Sequence, residues 1–410
     1  MRRAPEETPE GFGREVLGPI VAEFCLRLWT LTSLLERPDD AALLFCARGG
    51  LRMQLAYERF LAATGLPSSV HLTPLMVSRV AAIRPAIQRG LDDGLGTLVP
   101  AAASALSYEF GQASVADVFA AVTGVRPVST DPRWQRRFTP EELTALLRHP
   151  DEVTGSATLA GQARLFTRHL HEVLGARRTA VLVDTGLFGT TQDLLAAALP
   201  ELDVGSVLIA RSFRPGGAAP QARTVGLSVE AVDYSPLRPR TALLRYWHYV
   251  EWLFEPDLPS VRTFTLDGDR VRSDLEVDGW ADRVPPMPGT VFAGVVDHLD
   301  ALPHGPAERI VTEAAQAWRR YHRAVVWPRR EDAEVLGVGT RSHDFGRDVT
   351  WEQPAGTSVV AALNGDPMWR EGQLARTGSP LRLPLLAALQ GAYSARHVTR
   401  SLARRRRRGP

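Results

Sequence analysis

Lysine is absent from this 410-residue chain; all 48 basic side chains are arginine. No lysine is there to act as a base, form a Schiff base or anchor a phosphate, so anion binding falls to the fixed donor fork of arginine. Cysteine is scarce, with Cys25 and Cys46 both set in apolar stretches. Two such residues exclude a disulfide scaffold or a cysteine-rich zinc site and point to reduced, buried thiols in a cytoplasmic chain. Long apolar runs are missing as well. Pro19–Leu35 comes nearest, but Glu23 and Arg27 interrupt it short of the ~20 clean residues that a membrane span needs, so it reads as a core helix. Met1-Arg2-Arg3 leads into acidic and proline residues without the apolar core of a secretory signal. A net charge of only +2 argues against a nucleic-acid partner, whose binding needs a broad basic footprint.

What is present fits a globular protein: 44% hydrophobic and 23% charged residues, with length for two or three domains. Apolar helical spacing predicts a first helix over Arg14–Leu35, closed by the turn Arg37-Pro38-Asp39-Asp40. Ala41–Ala47 reads as a buried strand followed at once by Arg48-Gly49-Gly50, and Leu51–Ala63 as a helix stopped at Gly65-Leu66-Pro67. Val70–Arg79 is expected to be extended, with Pro74 restricting its pairing. From Ala81 to His149 the pattern turns helical. Ser114 before Val115-Ala116-Asp117 marks one helix start, and Thr139-Pro140-Glu141-Glu142 marks another. A further helix over Thr158–Leu174 leads into strand Thr179–Asp184, then a helix opening at Thr190–Asp193, then strand Val204–Ala210. Strands alternating with helices imply an α/β fold with a doubly wound parallel sheet. Beyond Gly216 the alternation fades into an aromatic helix over Ala242–Phe254, a hairpin over Arg262–Leu275 turning at Asp267-Gly268-Asp269, and a helix over Ile310–Trp327.

The stretch with the most chemical content is Arg178–Ala196, RTAVLVDTGLFGTTQDLLA. A short buried strand ends on Asp184, Gly186 and Gly189 permit a tight turn, and Thr190, Thr191 and Gln192 open a helix. Backbone N–H groups at such a helix start favour a phosphate, and a carboxylate at a strand end can bond sugar hydroxyls. An ordinary strand-to-helix connection with Thr190 as N-cap explains the same letters. In a doubly wound sheet, ligands bind beyond the carboxyl ends of the strands at a switch point. Arg48-Gly49-Gly50, Ser78-Arg79 and Asp184–Gln192 should therefore meet in one crevice, able to hold a ligand with phosphate at both ends and a ribose between them.

These residues carry a resemblance. VLVDTGLFGTT is similar to the phosphate-binding loop of the phosphoribosyltransferases, and LLFCARGGL to their pyrophosphate loop. The pattern most resembles the divergent glycan-specific branch, which makes ribofuranose in bacterial polysaccharides such as O-antigen and capsule. That branch has an ARDG-like loop, an SR strand end and a D-I-G-x-x-G-T-x-Q loop. The match runs through Ala47-Arg48, Gly50, Ser78-Arg79, Asp184, Gly186, Gly189, Thr190 and Gln192; Gly49 stands where that branch has an aspartate, and Thr185 replaces the second acid of the ordinary phosphoribosyltransferase loop.

The resemblance implies a phosphoribosyltransferase-like core over residues 1–215, with the helical insertion at about 81–149. An acceptor-side hood follows over 216–403, and an arginine-rich tail over 404–410. It implies transfer of 5-phosphoribosyl from phosphoribosyl pyrophosphate (PRPP), with Mg²⁺, to the hydroxyl of a free or lipid-linked saccharide. The product would be a β-ribofuranosyl 5-phosphate. A separate haloacid dehalogenase-type phosphatase would remove the phosphate, because the chain has no D-x-D-x-T motif. Asp184 and Arg48 take the catalytic roles. PRPP binding falls to Arg48, Gly49, Gly50, Ser78, Arg79, Asp184, Thr185, Gly186, Leu187, Phe188, Gly189, Thr190, Thr191 and Gln192. Two other readings stay open: a nucleobase phosphoribosyltransferase, and a protein of the same fold that binds PRPP or a nucleotide for regulation without turnover.

On the acceptor side the candidates are His248 and Glu251, three apart on the aromatic helix, and Asp344 in the loop His343-Asp344-Phe345-Gly346. Trp247 and Trp252 fit either a sugar platform or plain core. The run Arg404–Arg408 reads as a solvated end, or as a contact with anionic lipid at the inner face of the membrane.

Overall fold

The computed structural model describes residues 8–213, 223–304, 307–337, 341–342, 350–351, 358–364 and 369–407. A short helix α1 (Pro9–Phe12) runs through one π-turn into α2 (Gly18–Ser33). Strand β1 (Ala41–Cys46), helix α3 (Gly49–Thr64) and strand β2 (His71–Leu75) follow. Five helices come next: α4 (Arg79–Asp92), α5 (Pro100–Phe110), α6 (Val115–Thr123), α7 (Pro140–Leu147) and α8 (Val153–Leu174). Then come β3 (Thr179–Asp184), α9 (Thr190–Ala198), β4 (Asp203–Arg211) and β5 (Thr224–Glu230). The remaining chain supplies α10 (Trp247–Phe254), the hairpin β6 (Phe264–Asp267) and β7 (Arg270–Ser273), α11 (Val291–Asp300), α12 (Ala307–Val326) and α13 (Arg330–Val335). A two-residue pair β8 (Arg341–Ser342) and β9 (Thr350–Trp351) precedes α14 (Val359–Asn364), α15 (Arg370–Arg376) and α16 (Arg382–Arg407).

The fold is mixed α/β, built on a five-stranded, all-parallel sheet of order β2-β1-β3-β4-β5. Its central strands are apolar at nearly every position because both faces are covered. Leu43, Phe45, Val181, Val183, Val207 and Ile209 point into one core with α2, α3, α11 and α12. Ala42, Leu44, Ala180, Leu182 and Val204 point into the other, with α4, α8 and α9. Pro74 lies in β2 at the sheet edge, where its missing N–H costs no ladder bond to a second neighbour.

Several sequence expectations are met. Ser114 caps α6 with Asp117 in a reciprocal box, Thr139 caps α7, and the hairpin turns at Gly268. Cys25 and Cys46 are free and buried, and burial pushes both thiols up. Pro9–Ser33 has the length and apolarity of a membrane span, yet 72% of its most apolar window is buried inside the fold, as a core helix requires.

Other expectations are corrected. The sheet does not stop near residue 215, since β5 pairs with β4 from the second half of the chain. Nor does the core divide there: α11 and α12 share one cluster with α2. A buried carboxylate joins the two halves. Glu23, 1% exposed, accepts from Arg27 (2.9 Å), Arg240 (2.6 Å) and Trp318 Nε1 (2.8 Å). The stretch from residue 81 is not wholly an insertion either, because α4 is a sheet-covering helix packed on α8 and α9. Arg48-Gly49-Gly50 is not a free loop; both glycines belong to the first turn of α3.

Candidate functional site

In the order β2-β1-β3-β4-β5, β1 sends its connection to one side and β3 begins the other, so the switch point lies between their carboxyl ends. Two of the expected segments meet there. After β1, the Ala47 N–H donates to Leu75 O (3.0 Å) in β2, and the Ala47–Arg48 peptide is cis. A Cβ on Gly50 would lie 2.5 Å from the Phe45 carbonyl carbon, so α3 can start directly over the strand only with glycine here. A Cβ on Gly49 would lie 3.2 Å from Thr185 Cγ2 and 3.7 Å from the Cβ of Phe254. Gly49 is thus the point where the loops after β1 and β3 and the end of α10 come together.

The loop after β3 folds on its own carboxylate: Asp184 Oδ1 accepts the Gly186 N–H at 3.3 Å. The charge of Asp184 reaches β1, where it adds to burial in raising the Cys46 thiol. Leu187 is buried and its carbonyl takes the Ser212 N–H (2.8 Å), tying the loop to the end of β4. Gly189 has φ +65°, in the left-handed region, and a Cβ there would lie 2.9 Å from Thr224. Gly189, not Thr190, is the N-cap of α9, and no side chain caps that helix. Gln192 is 1% exposed; it donates to Val204 O (3.1 Å) and accepts from the Thr224 hydroxyl (3.1 Å). Its amide therefore staples α9 to β4 and β5 instead of facing the crevice.

Arg48 and Ser78 reach partners that the sequence did not reveal. A strap over residues 253–262, running on from α10, crosses the carboxyl ends of β1 and β2. Arg48 donates to Leu258 O (3.0 Å) and pairs with Glu255 (3.2 Å). Ser78 caps α4 and donates its hydroxyl to Val261 O. Arg52 and Arg84 hold further strap carbonyls, those of Leu253, Glu255 and Arg262. Burial lowers both of these guanidinium groups to about 10. Four donors from the first two turns of α3 and α4 thus fix one backbone segment over the crevice.

The chain matches no protein-family model and no curated protein.

On the other side of the crevice stand residues that sequence reading had set aside as insertion. Arg79 pairs with Glu109 of α5 at 2.6 Å, and Phe188 meets the half-exposed ring of Tyr108 edge-on at 5.5 Å. Only their place in the fold marks Tyr108 and Glu109, since nothing in their local sequence does. Of the expected acceptor-side residues, His248 and Glu251 are half-buried on α10, with the His248 ring 4.0 Å from that of Trp247. The α10 residue that reaches Gly49 is Phe254, at the far end of the helix. Asp344 lies outside the described residues.

Among the described residues no group of three or more His, Cys, Asp or Glu side chains is placed to hold a metal by protein ligands alone. Asp184 offers a single carboxylate at the strand end, enough for an ion that takes its remaining ligands from substrate phosphates and water. One concave feature lies elsewhere. A groove of about 530 Å³, lined by residues such as Gln88, Arg89, Arg168, His171 and Leu199, lies between α4, α8 and the end of α9. Because α9 runs back against the strands, that groove sits toward the amino ends of the strands, away from Asp184 at the carboxyl end of β3.

Proposed function

We propose that this chain is a phosphoribosyltransferase that moves 5-phosphoribosyl from PRPP to a saccharide hydroxyl, on a doubly wound core of the phosphoribosyltransferase type. The observation that carries this reading is the approach of Gly49 to Thr185 at the β1/β3 switch point. It puts the arginine-glycine turn beside the acidic, glycine-threonine turn, which supports one ligand touching both. The fold alone does not imply the function; the argument rests on these residues in this place.

In this reading the 5-phosphate lies against the N–H groups of the Gly186–Thr191 turn, where the uncapped α9 favours an anion. Asp184 holds the ribose hydroxyls. Arg48 and Arg79 draw the pyrophosphate, Arg48 exchanging its Glu255 and Leu258 contacts for the ligand's oxygens. The acceptor hydroxyl oxygen bonds to C1 while the C1–O bond to pyrophosphate breaks, and the electron pair leaves with pyrophosphate. Glu255 on the strap and Glu109 on α5, the partners of Arg48 and Arg79, are the candidates to take the hydroxyl proton. Asp184 would be the protein carboxylate holding Mg²⁺, which would supply charge neutralisation on the departing pyrophosphate. The residues act mainly by positioning and by fixed electrostatic stabilisation of an oxocarbenium-like ribose. In-line displacement inverts the α-linked donor to a β-ribofuranosyl 5-phosphate, which a separate phosphatase would complete.

A second reading is favoured by one observation. Arg48 and Ser78 already donate to the strap carbonyls, as expected of a protein that binds a phosphorylated ligand without turning it over. Mixing the protein with PRPP, Mg²⁺ and a panel of saccharides separates the two. Saccharide-dependent release of pyrophosphate is the expected result. Tight PRPP binding with no release under any saccharide would leave the regulatory reading and remove the enzymatic one.

A further inference from the structure

The last long helix points to a partner that the chemistry at Asp184 does not involve. Helix α16 spans 26 residues, about 39 Å at the helical rise. One stripe of it packs on the body. Leu386 is fully buried with Ala362 and Leu374, Gln390 bonds Arg245 and Glu371, the Tyr393 ring lies 4.3 Å from the Arg245 guanidinium, and His397 meets Tyr234 edge-on. These four contacts, at 386, 390, 393 and 397, recur at helical spacing and fix which side faces inward.

The other side is apolar and open. Pro384, Ala388, Ala392 and Ala395 are exposed along it, and Leu381, Leu383 and Val398 are more than half exposed at its flanks. Exposed leucine and valine beside alanine make an uncharged face on a helix whose inner contacts are partly polar. Charge is arranged just as unevenly. From Arg382 onward there are eight arginines and no Asp or Glu. With 48 basic and 46 acidic side chains in the whole chain, the preceding 381 residues carry 40 against 46 and are net −6. A chain close to neutral overall has therefore gathered its excess positive charge into its last 29 residues, all but three of them in a helix that also bares an apolar face.

We propose that α16 is a docking element for an anionic lipid bilayer, lying along the interface with its Pro384–Val398 face in the headgroup boundary and its arginine-rich end on the phosphates. A bilayer satisfies both features at once: apolar side chains enter the acyl boundary, and basic ones meet anionic headgroups. A nucleic acid would meet only the charge. A second copy of the chain aligned in parallel would bring arginine clusters together, and its pairing is an outcome of the test.

Vesicle flotation of the full chain tests this, using phosphatidylcholine alone or mixed with phosphatidylglycerol. Binding is expected with the mixed vesicles only, falling as salt is raised. Two variants separate the components: Leu383→Glu with Val398→Glu on the apolar face, and Arg404–Arg408 changed to glutamine. Each should weaken flotation at least tenfold, and the Leu383/Val398 variant should leave circular dichroism and thermal unfolding unchanged, since both side chains are exposed. Absence of flotation with anionic vesicles overturns the proposal, as does equal flotation with neutral ones. Full retention of binding by the Leu383/Val398 variant would also overturn it, by leaving the helix face without a role. So would light scattering that shows a wild-type dimer which the same variant dissolves, because the face would then be a contact between copies.

Discussion

Changing Asp184 to asparagine is expected to lower saccharide-dependent pyrophosphate release by about 100- to 1,000-fold, the range for removing one fixed electrostatic partner of a transition state. The substitution is well suited to separating charge from shape. An asparagine oxygen can still accept the Gly186 N–H that Asp184 Oδ1 holds at 3.3 Å, so the loop keeps its turn while the negative charge is lost. Asp184 is half-buried at a strand end, and unfolding in denaturant should shift by less than about 0.5 kcal/mol, as for changes that leave packing intact. Arg48→Ala should act in the same direction on turnover and also release the strap at Leu258 and Glu255. A folded Asp184→Asn protein with wild-type turnover would place the chemistry elsewhere.

The largest effect on stability is expected from Glu23→Ala. The carboxylate is 1% exposed and satisfies three donors, from Arg27, Arg240 and Trp318. Removing it leaves the buried indole N–H without its acceptor and the half-buried Arg240 side chain, 32% exposed, without its counter-charge, and breaking a buried pair by deleting one partner costs about 3–5 kcal/mol. Arg27, whose side chain is 41% exposed, can turn to water, which places the result toward the lower end, near 3 kcal/mol. Glu23→Gln should fall between the two proteins, because it keeps an acceptor for Trp318 but not the charge. Urea unfolding followed by tryptophan fluorescence gives the comparison. A shift below about 1 kcal/mol, the worth of an exposed pair, would show that the cluster does not join the two halves of the chain.

That join explains where sequence reading succeeded and where it stopped. The buried strands Ala41–Cys46, Thr179–Asp184 and Asp203–Arg211 were legible because a parallel strand covered on both faces is apolar throughout and short. Caps were legible for a similar reason, since the bonds of Ser114 and Thr139 are local. The fifth strand was not: TVGLSVE carries glycine and serine at an edge, and only pairing with β4 makes it a strand. The boundary at 215 failed with it. Glu23 interrupts an apolar run and resembles a solvent-facing residue until Arg240 and Trp318, more than two hundred positions away, are known as its partners.

The site divides in the same way. Arg48, Gly49, Asp184 and Thr185 were read from short motifs and do lie together, because the ends of β1 and β3 are adjacent whenever those strands pair. Their partners Glu255, Leu258 and Val261 come from a strap with no motif of its own, and Tyr108 and Glu109 from a helix that reads as filler. Gln192 fits a ligand pattern as a letter, yet its amide is consumed inside the fold. Motif residues say which chemistry a loop is suited to, and only tertiary structure says which of their donors remain for a ligand.

Hydrogen exchange of the backbone with and without PRPP and Mg²⁺ tests the central claim most directly. PRPP should slow exchange in two short stretches, Ala47–Gly50 and Gly186–Gln192, and should speed it over the strap at 255–262 as Arg48 exchanges partners. Protection confined to the α4–α8 groove, or no change at Gly186–Gln192 while PRPP is bound, would contradict the assignment of this loop as the phosphate site.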